Sequence, residues 1–302
     1  AMRLRHIEVF HAVMQAGTIS GAAQVLHISQ PAVTKVLQHC ELQLGLPLFE
    51  RIRGKLYPRP EAHRLFAETE KLARDLAGIR RLAASLKSKS VETIRLVATP
   101  SLAFSVLPPA LAAWRADFPH TQCELGTQHT DEIVNILRIG EADLALSLQD
   151  PRHPSIVAEP LAEGPLVALA RAGTWPAAQR GKPIEVGALP DELIGLPPND
   201  VLGEQVAGAF EAVERHPVYR TVVQTYQLAR SLVEAGGGVA LVDPFSAALP
   251  APAGLDRRPV TPALPVRLYV LSASQAPLSH GARQLAAQVA AVARRSLEAG
   301  WR

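Results

Sequence analysis

Two closely spaced helix start signals constrain the fold of the first part of this chain more than any other feature. Gly17 ends an apolar helical stripe, and Thr18 then stands at the N-cap position before an alanine-rich segment that another helix can approach closely. Ser29 is the second N-cap, and Pro31 fits the first helical turn because its missing N–H falls where no intrahelical partner exists. The pattern predicts two short helices joined by a tight turn.

The second of these helices has a polar face that suits contact with DNA bases. Gln30, Thr34 and Gln38 recur every four residues beside Lys35, opposite an apolar stripe. Amide and ammonium groups at this spacing can reach base edges in a major groove, so the segment predicts a helix-turn-helix whose second helix is the recognition helix. The alternative is a small helical bundle with an ordinary polar face.

A basic, hairpin-like segment over residues 48–58 favours DNA binding over that alternative. Its cations can neutralise phosphates or enter a minor groove, and we interpret the segment as a wing. The residues expected to contact base edges are Gln30, Thr34, Lys35 and Gln38. The residues expected to contact the DNA backbone or the minor groove are Thr18, Pro31, Arg51, Arg53 and Lys55.

Charge is divided unevenly along the chain, although the formal net charge is only +3. Residues 1–90 hold 14 Lys and Arg against 7 Asp and Glu, whereas the remainder holds 17 against 21. A basic module joined to a mildly acidic one indicates that only the first module meets a polyanion. Because no apolar run approaches the roughly 20 residues that span a bilayer, and the N-terminal residues lack a signal-peptide core, we expect a cytoplasmic protein without a membrane partner.

An ordered series of motifs in the same region resembles the LysR-type transcriptional regulators. The matching residues are His6-Ile-Glu-Val-Phe10, Gly17-Thr-Ile-Ser20, Ala22-Ala23, Leu26, Ser29-Gln-Pro-Ala32, Leu42, Gly45, and Leu48-Phe-Glu-Arg51 followed by Arg53. So many matches in order are far more specific than one short motif. Family members usually carry Thr and Gly just after the wing, where this chain has Pro60 and His63. The resemblance implies a regulator, not an enzyme, that binds double-stranded DNA and a small-molecule effector.

Residues 61–89 are expected to form a long linker helix. Leu65, Leu72, Ile79 and Leu86 recur every seven residues, and such a seam in a long, otherwise charged helix predicts a dimer contact. A single helix packed on its own domain is the alternative. A dimer presents two recognition helices to two half-sites, so a roughly palindromic operator follows. The resemblance further implies a homotetramer built as a pair of dimers.

Beyond the linker, strand-like and helix-like runs alternate in two sets, which predicts mostly parallel α/β sheets with helices on both faces. The last strand and helix return to the first set. This pattern resembles the doubly wound, two-lobed effector domain of periplasmic-binding-protein type that the same family carries. The expected domains are an all-α winged helix-turn-helix at 1–60, the linker at 61–89 and an effector domain at 90–302, with lobe I at about 91–163 and 267–302 and lobe II at about 164–266.

Ligands of such sheets bind at the carboxyl ends of strands, where helix N-termini offer N–H groups to anions. Capping a helix is the alternative role of polar residues at these ends. Val-Asp-Pro at 242–244 looks like the family members that respond to amino acids and opines. That resemblance implies that Asp243 pairs with a ligand ammonium while Thr99, Ser101 and a helix N-terminus hold its carboxylate. The candidate effector-binding residues are Thr99, Ser101, Thr127, Gln128, Ser147, Asn199, Asp200, Thr225 and Asp243.

No pattern in the sequence indicates a metal, a cofactor or a catalytic site, so we expect no ligand other than the small-molecule co-inducer. Cys40 and Cys123 belong to no metal-binding or disulfide pattern and are expected to be small buried hydrophobes, with redox sensing by Cys123 as the alternative. The glycines at 236–238 are not followed by the Lys-Ser/Thr of a phosphate loop. An α/β enzyme and a solute-binding protein are the rival classes, and the basic N-terminal module opposes the second.

Overall fold

The computed structural model describes residues 2–52, 55–69, 72, 76, 79, 92–196, 201–251 and 254–300. The chain divides into two compact units, residues 1–90 and residues 91–302. Arg53, Asn199 and Asp200 lie outside the described residues, and so does most of the segment expected to form the linker helix.

The first unit consists of helices and a small hairpin. Its elements are α1 (Leu4–Ala16), α2 (Ile19–Leu26), α3 (Gln30–Leu44), β1 (Phe49–Ile52), β2 (Lys55–Pro58) and α4, helical over 60–69. The Thr18 hydroxyl accepts a hydrogen bond from the Gly21 amide at 3.0 Å, and the Ser29 hydroxyl accepts one from the Ala32 amide at 3.4 Å. Both helix starts are therefore confirmed. The buried core of the unit includes Val9, Phe10, Val13, Ala22, Val33, Leu37, Cys40 and Leu48.

The wing forms as an antiparallel pair of strands. β1 pairs with β2 so that Phe49 lies opposite Pro58 and Ile52 lies opposite Lys55. One carboxylate oxygen of Glu41, on α3, accepts hydrogen bonds from the amides of Leu48 and Phe49 at 2.7 and 3.0 Å. Because these bonds join the start of the hairpin to α3, the wing is held to the helix expected to contact base edges.

The second unit contains a five-stranded and a six-stranded sheet. The five-stranded sheet has the order β4-β3-β5-β13-β6 and is covered by four helices. Its strands are β3 (Thr93–Ala98), β4 (Gln122–Thr127), β5 (Leu144–Ser147), β6 (Ile156–Pro165) and β13 (Pro265–Ala273). Its helices are α5 (Pro100–Phe104), α6 (Leu107–Trp114), α7 (Thr130–Arg138) and α11 (His280–Glu298).

The six-stranded sheet has the order β10-β9-β11-β7-β12-β8. Its strands are β7 (Val167–Arg171), β8 (Ile184–Glu185), β9 (Glu192–Gly195), β10 (Val218–Val222), β11 (Ala240–Val242) and β12 (Leu255–Thr261). The helices that accompany it are α8 (Val201–Glu211), α9 (Tyr226–Glu234) and α10 (Pro244–Ala248), with short 3₁₀ turns at Ala177–Gln179 and Val186–Ala188.

The expectation of mostly parallel sheets is corrected by the strands that cross between the lobes. β3 pairs in parallel with β4 and β5, but β13 runs antiparallel to β5 and β6, and β7 runs antiparallel to β11 and β12. β6 passes into β7, and β12 into β13, without an intervening helix, so the sheets are mixed. At the crossing, the Leu166 amide donates to the Leu264 carbonyl at 2.8 Å and the Val260 amide donates to the Leu166 carbonyl at 2.9 Å. These two bonds join the crossing segments.

Candidate functional site

The residues expected to contact bases share one solvent-facing side of α3. Gln30, Lys35 and Gln38 are exposed and Thr34 is half-buried. The Thr34 hydroxyl donates to the Gln30 carbonyl at 3.1 Å, and the Gln30 amide nitrogen Nε2 donates to the Ser20 hydroxyl at 2.8 Å. The second bond joins the start of α3 to α2. A polar, solvent-facing helix face with one lysine can present hydrogen-bonding groups to a DNA groove.

The residues expected to contact the DNA backbone surround this face. Thr18 and Pro31 are exposed at the starts of α2 and α3, and Arg51 and Lys55 are exposed on the two strands of the wing. Within the described residues neither Arg51 nor Lys55 forms an ion pair, which leaves both charges available to phosphates. Arg53 lies outside the described residues.

A histidine pair that joins α1 to α3 was not predicted from the sequence. The Arg3 amide donates to Nδ1 of buried His6 at 3.2 Å, so the proton of the neutral His6 ring is on Nε2. That Nε2 lies 3.1 Å from Nδ1 of His39, on α3. Burial lowers the pKa of His6, and the neighbouring His39 lowers that pKa further. Two scattered histidines carry no sequence signal for such a pair, because packing of α1 on α3 brings them together.

A cleft of about 370 Å³ lies between the two lobes of the second unit. It is bordered by the ends of strands and by the starts of α5, α7 and α9. Three of the expected effector-binding residues, Thr99, Ser101 and Thr225, are in its lining. The described lining residues are Thr99, Pro100, Ser101, His129, Thr130, Asp131, Leu148, Gln149, Leu196, Gln224, Thr225 and Tyr226.

The cleft offers hydrogen-bonding groups that are not fully used by the protein. Thr225 caps α9, its hydroxyl accepting from the Leu228 amide at 3.1 Å. Thr99 precedes α5, but its buried hydroxyl has no hydrogen-bond partner among the described residues. An unsatisfied buried hydroxyl costs about 1–3 kcal/mol, which a bound polar group can recover. Together with helix N-termini, such groups suit the oxygens of a carboxylate.

The described lining of the cleft carries one acidic side chain and no lysine or arginine to pair with it. That side chain is Asp131, which is exposed in the first turn of α7. A ligand carboxylate would therefore be held by N–H and hydroxyl groups rather than by a guanidinium, and a ligand ammonium could pair with Asp131. The arrangement fits a small zwitterion.

Ser147, Thr127 and Gln128 are placed outside the lining of the cleft. Ser147 is completely buried, where its hydroxyl lies 3.1 Å from that of Thr130 and accepts from the Gln149 amide at 3.0 Å. It therefore orients two lining residues from beneath. Thr127 is exposed and Gln128 is half-buried at the end of β4. Asn199 and Asp200 lie outside the described residues.

Asp243 is used as a helix cap and does not face the cleft. Its carboxylate is completely buried, and Oδ1 accepts from the amides of Phe245 and Ser246 at 2.9 and 2.8 Å. Burial raises the pKa of the Asp243 carboxyl, although these hydrogen bonds oppose the rise. The side chain thus takes the capping role that was the alternative for such residues, and the acidic group that the cleft offers to an ammonium is Asp131.

The cleft also contains polar residues that the sequence analysis did not single out. Thr130, Asp131, Gln149 and Gln224 all line it. Thr130 and Asp131 begin α7, whereas Gln149 and Gln224 lie in segments that follow β5 and β10, and only the fold shows that these parts of the chain meet. A helix start signal was present at 129–132, where the Glu132 carboxylate accepts from the His129 amide at 3.3 Å.

Neither Cys40 nor Cys123 forms a disulfide. Cys40 is buried and Cys123 half-buried, both as free thiols, and burial raises the pKa of each. Across the described ranges, no group of His, Cys, Asp or Glu is arranged to hold a metal ion. In the same ranges, no helix is long and apolar enough to cross a membrane.

Comparison with known proteins agrees with both halves of this architecture. Residues 4–63 match the bacterial regulatory helix-turn-helix protein, lysR family, and residues 87–294 match the LysR substrate binding domain. The HTH-type transcriptional regulator DgcR from Pseudoalteromonas sp is 37% identical over 250 residues, covering 82% of this chain and 84% of that protein. The transcriptional activator protein LysR from Escherichia coli (strain K12) is 31% identical over 288 residues, covering 92% and 89%.

The solved structures share the fold over nearly the whole chain. Full-length CbnR complexed with its target DNA superposes with a TM-score of 0.65 at 24% identity, covering 98% of this chain and 100% of that one. Proteins of this family are DNA-binding transcriptional regulators with an effector-binding domain, not enzymes. With both domain matches and relatives above 30% identity over most of its length, the chain belongs to the LysR family of transcriptional regulators.

Proposed function

We propose that this regulator binds an operator through α3 and the wing, and that an amino acid or a related small compound in the interlobe cleft modulates this binding. The observation that carries the effector class is the chemistry of the described cleft lining. It combines the starts of three helices, the unpartnered hydroxyl of Thr99 and a single carboxylate, Asp131. These groups complement a carboxylate and an ammonium on one small molecule.

In the DNA-binding unit we assign two kinds of contact. The α3 face bearing Gln30, Thr34, Lys35 and Gln38 reads base edges, because glutamine can bond adenine through two atoms and lysine can donate to guanine. The residues assigned to the DNA backbone or the minor groove, which fix register without reading sequence, are Thr18, Pro31, Arg51, Arg53 and Lys55.

In the cleft, the hydroxyls of Thr99 and Thr225 and the start of α9 hold the effector carboxylate. Ser101 lines the cleft beside them, but its hydroxyl already hydrogen-bonds the buried Asp243 carboxyl. Asp131 pairs with the effector ammonium, the role first expected for Asp243. Ser147 fixes Thr130 from beneath and acts as a positioning residue rather than a contact. These assignments follow from which polar groups the described lining presents and which of them are already engaged.

Ligand binding changes DNA binding by shifting the population between two lobe arrangements. The crossing segments at 165–167 and 261–265 are the only direct chain connections between the two sheets in the described residues, so movement of the lobes is concentrated there. Residues 61–89 carry the change to the DNA-binding unit and pair with a second copy, and two such dimers form a tetramer. We expect this regulator to act in the cytoplasm, in keeping with the bacterial regulatory family that its DNA-binding unit matches.

The test is calorimetric titration of the full-length protein with amino acids and with the matching acids that lack the amine. Amino acids are expected to bind, and Asp131→Asn is expected to weaken them at least ten-fold. Glu132→Gln is the matched control, because this neighbouring carboxylate is outside the cleft lining. Tight binding of amine-free acids that Asp131→Asn leaves unchanged would contradict the proposed effector class.

A further inference from the structure

A second, smaller cavity of about 90 Å³ lies in lobe II, beside the cleft. It is enclosed by α8 on one side and by the strands of the six-stranded sheet on the other. Leu193, Leu202, Val206 and Leu241 contribute to its wall. Across the described lining, the only polar side chains are those of two tyrosines, Tyr219 and Tyr226. We call this cavity the side pocket.

The side pocket adjoins the effector cleft. Leu196 and Tyr226 line both cavities. Tyr226 is the first residue of α9, directly after the cap Thr225, so the shared wall begins where the proposed effector carboxylate is held. A ligand anchored at this helix start therefore lies next to the side pocket.

The wall near Tyr219 depends on a glycine. A Cβ atom added at Gly195 would lie 2.6 Å from Cδ1 of Tyr219, which is too close for the ring to keep its position. The missing side chain thus lets the Tyr219 ring cover β9 at the edge of the side pocket. The local backbone and the ring together give the pocket an apolar wall on the β10 side.

The volume of the side pocket limits what can enter. A cavity of about 150 Å³ holds a benzene molecule, and a water molecule occupies about 30 Å³ of the liquid. A space of about 90 Å³ is therefore too small for an aromatic ring and matches three or four aliphatic carbons. A charged tail would lose its hydration there without gaining a charged partner among the described lining residues.

We infer that the side pocket receives a branched aliphatic group of the effector, so that the regulator responds to an amino acid or related acid with an isopropyl or isobutyl side chain. This inference rests on the proposed function, since the cleft must first hold the carboxylate. The apolar wall and the volume of the side pocket indicate a small aliphatic group. The shared residues Leu196 and Tyr226 indicate that this group belongs to the ligand in the cleft. The side pocket then determines effector specificity, and the cleft supplies the anchoring groups.

The experiment is calorimetric titration of the full-length protein with alanine, valine, leucine, phenylalanine and arginine, each as separate D and L forms, and with 4-methylpentanoate. The Kd is expected to fall about four-fold per added carbon from alanine to leucine, because each buried methylene contributes a similar increment. The Kd is expected to rise again for phenylalanine and arginine. Filling the pocket by Val206→Phe should weaken leucine binding at least ten-fold and leave alanine binding unchanged.

Two further variants of α8 supply a second pocket-filling substitution and a control outside the pocket. Ala207→Leu fills the rim of the side pocket and serves if Val206→Phe does not fold. Gln205→Leu adds the same side chain at an exposed position outside the lining and should leave every Kd unchanged.

The outcomes separate this inference from the proposed function. Equal Kd values for alanine and leucine, or leucine binding that neither filling variant weakens, would overturn the side-pocket inference while the cleft proposal stands. If 4-methylpentanoate binds as tightly as leucine and Val206→Phe weakens both, the side pocket is supported and the ammonium contact is overturned. Failure of all these compounds to bind would overturn both proposals.

Discussion

Nε2 of His6 lies 3.1 Å from Nδ1 of His39, which joins the first helix of the DNA-binding unit to the helix expected to contact base edges. The His6 ring is neutral in this arrangement, because its Nδ1 already accepts from the Arg3 amide. The pair is thus compatible with only one charge state of the buried ring.

This pair makes the stability of the first unit depend on pH. Burial and the neighbouring His39 hold the pKa of His6 below its unfolded value of 6.5. Between the two pKa values the unfolded state binds more protons, so the free energy of unfolding falls as pH drops below about 6.5 and is level above it. Hydrogen exchange of α1 and α3 amides from pH 5 to 8 measures this. In His6→Asn the loss at low pH should shrink, and an unchanged pH profile would contradict the assignment.

Base and backbone contacts should differ in their effect on DNA affinity. Gln30→Ala is expected to cost about 1–3 kcal/mol on the best operator and to relax preference at one position. Lys55→Ala should weaken all DNA alike and reduce the salt slope by about one. Fluorescence anisotropy with operator and scrambled DNA over a salt series separates the two effects. Gln43→Ala, at an exposed position near the end of α3, is the control, and equal losses from Gln30→Ala and Lys55→Ala would argue against the division.

The unpartnered hydroxyl of Thr99 should matter to the ligand more than to the fold. Thr99→Val is expected to leave the ligand-free melting temperature unchanged or raised, since a buried unsatisfied group is removed. Effector affinity should fall about ten-fold, or about 1.4 kcal/mol. Thr93→Val, at the start of the strand β3 that precedes Thr99 but outside the cleft lining, is the control. A large loss of stability without a loss of affinity would show that the hydroxyl serves the fold instead.

A buried arginine in the middle of α9 fixes this helix relative to α10. The Arg230 guanidinium pairs with Glu234 at 2.6 Å and donates to the carbonyls of Ser246 and Pro250 at 2.7 and 2.9 Å. Arg230→Met leaves these acceptors without their hydrogen-bond donor. The free energy of unfolding should therefore fall by about 3 kcal/mol. Arg220→Met removes an exposed ion pair and should cost less than about 1 kcal/mol. Denaturant titration compares the two variants, and similar costs would be inconsistent with this account.

The sequence was most informative where local chemistry determines the structure. The caps at Thr18 and Ser29 and the basic hairpin were predicted because each depends on residues that are neighbours in the chain. The role of Asp243 also depends on neighbouring residues. An Asp followed by Pro at the end of a strand is a good N-cap for the next helix, and Asp243 caps α10.

The site residues depend on contacts that no local pattern encodes. Asp131 and Gln224 meet in the cleft only because the chain crosses twice between the sheets. Those crossings also make the sheets mixed rather than mostly parallel, since β7 and β13 run antiparallel to the strands on both sides of them. The alternation of strands and helices therefore predicted the two lobes but not the groups that face each other between them.

The central claim is that a zwitterion in the cleft changes how the regulator binds DNA. The most direct test is the affinity and footprint of the full-length protein on the DNA upstream of its own gene, with and without the amino acid that binds most tightly. We expect the ligand to change the affinity or the footprint in the wild type, and Asp131→Asn to bind the DNA normally without responding. Identical affinity and footprint with and without a ligand that calorimetry shows to be bound would contradict the claim.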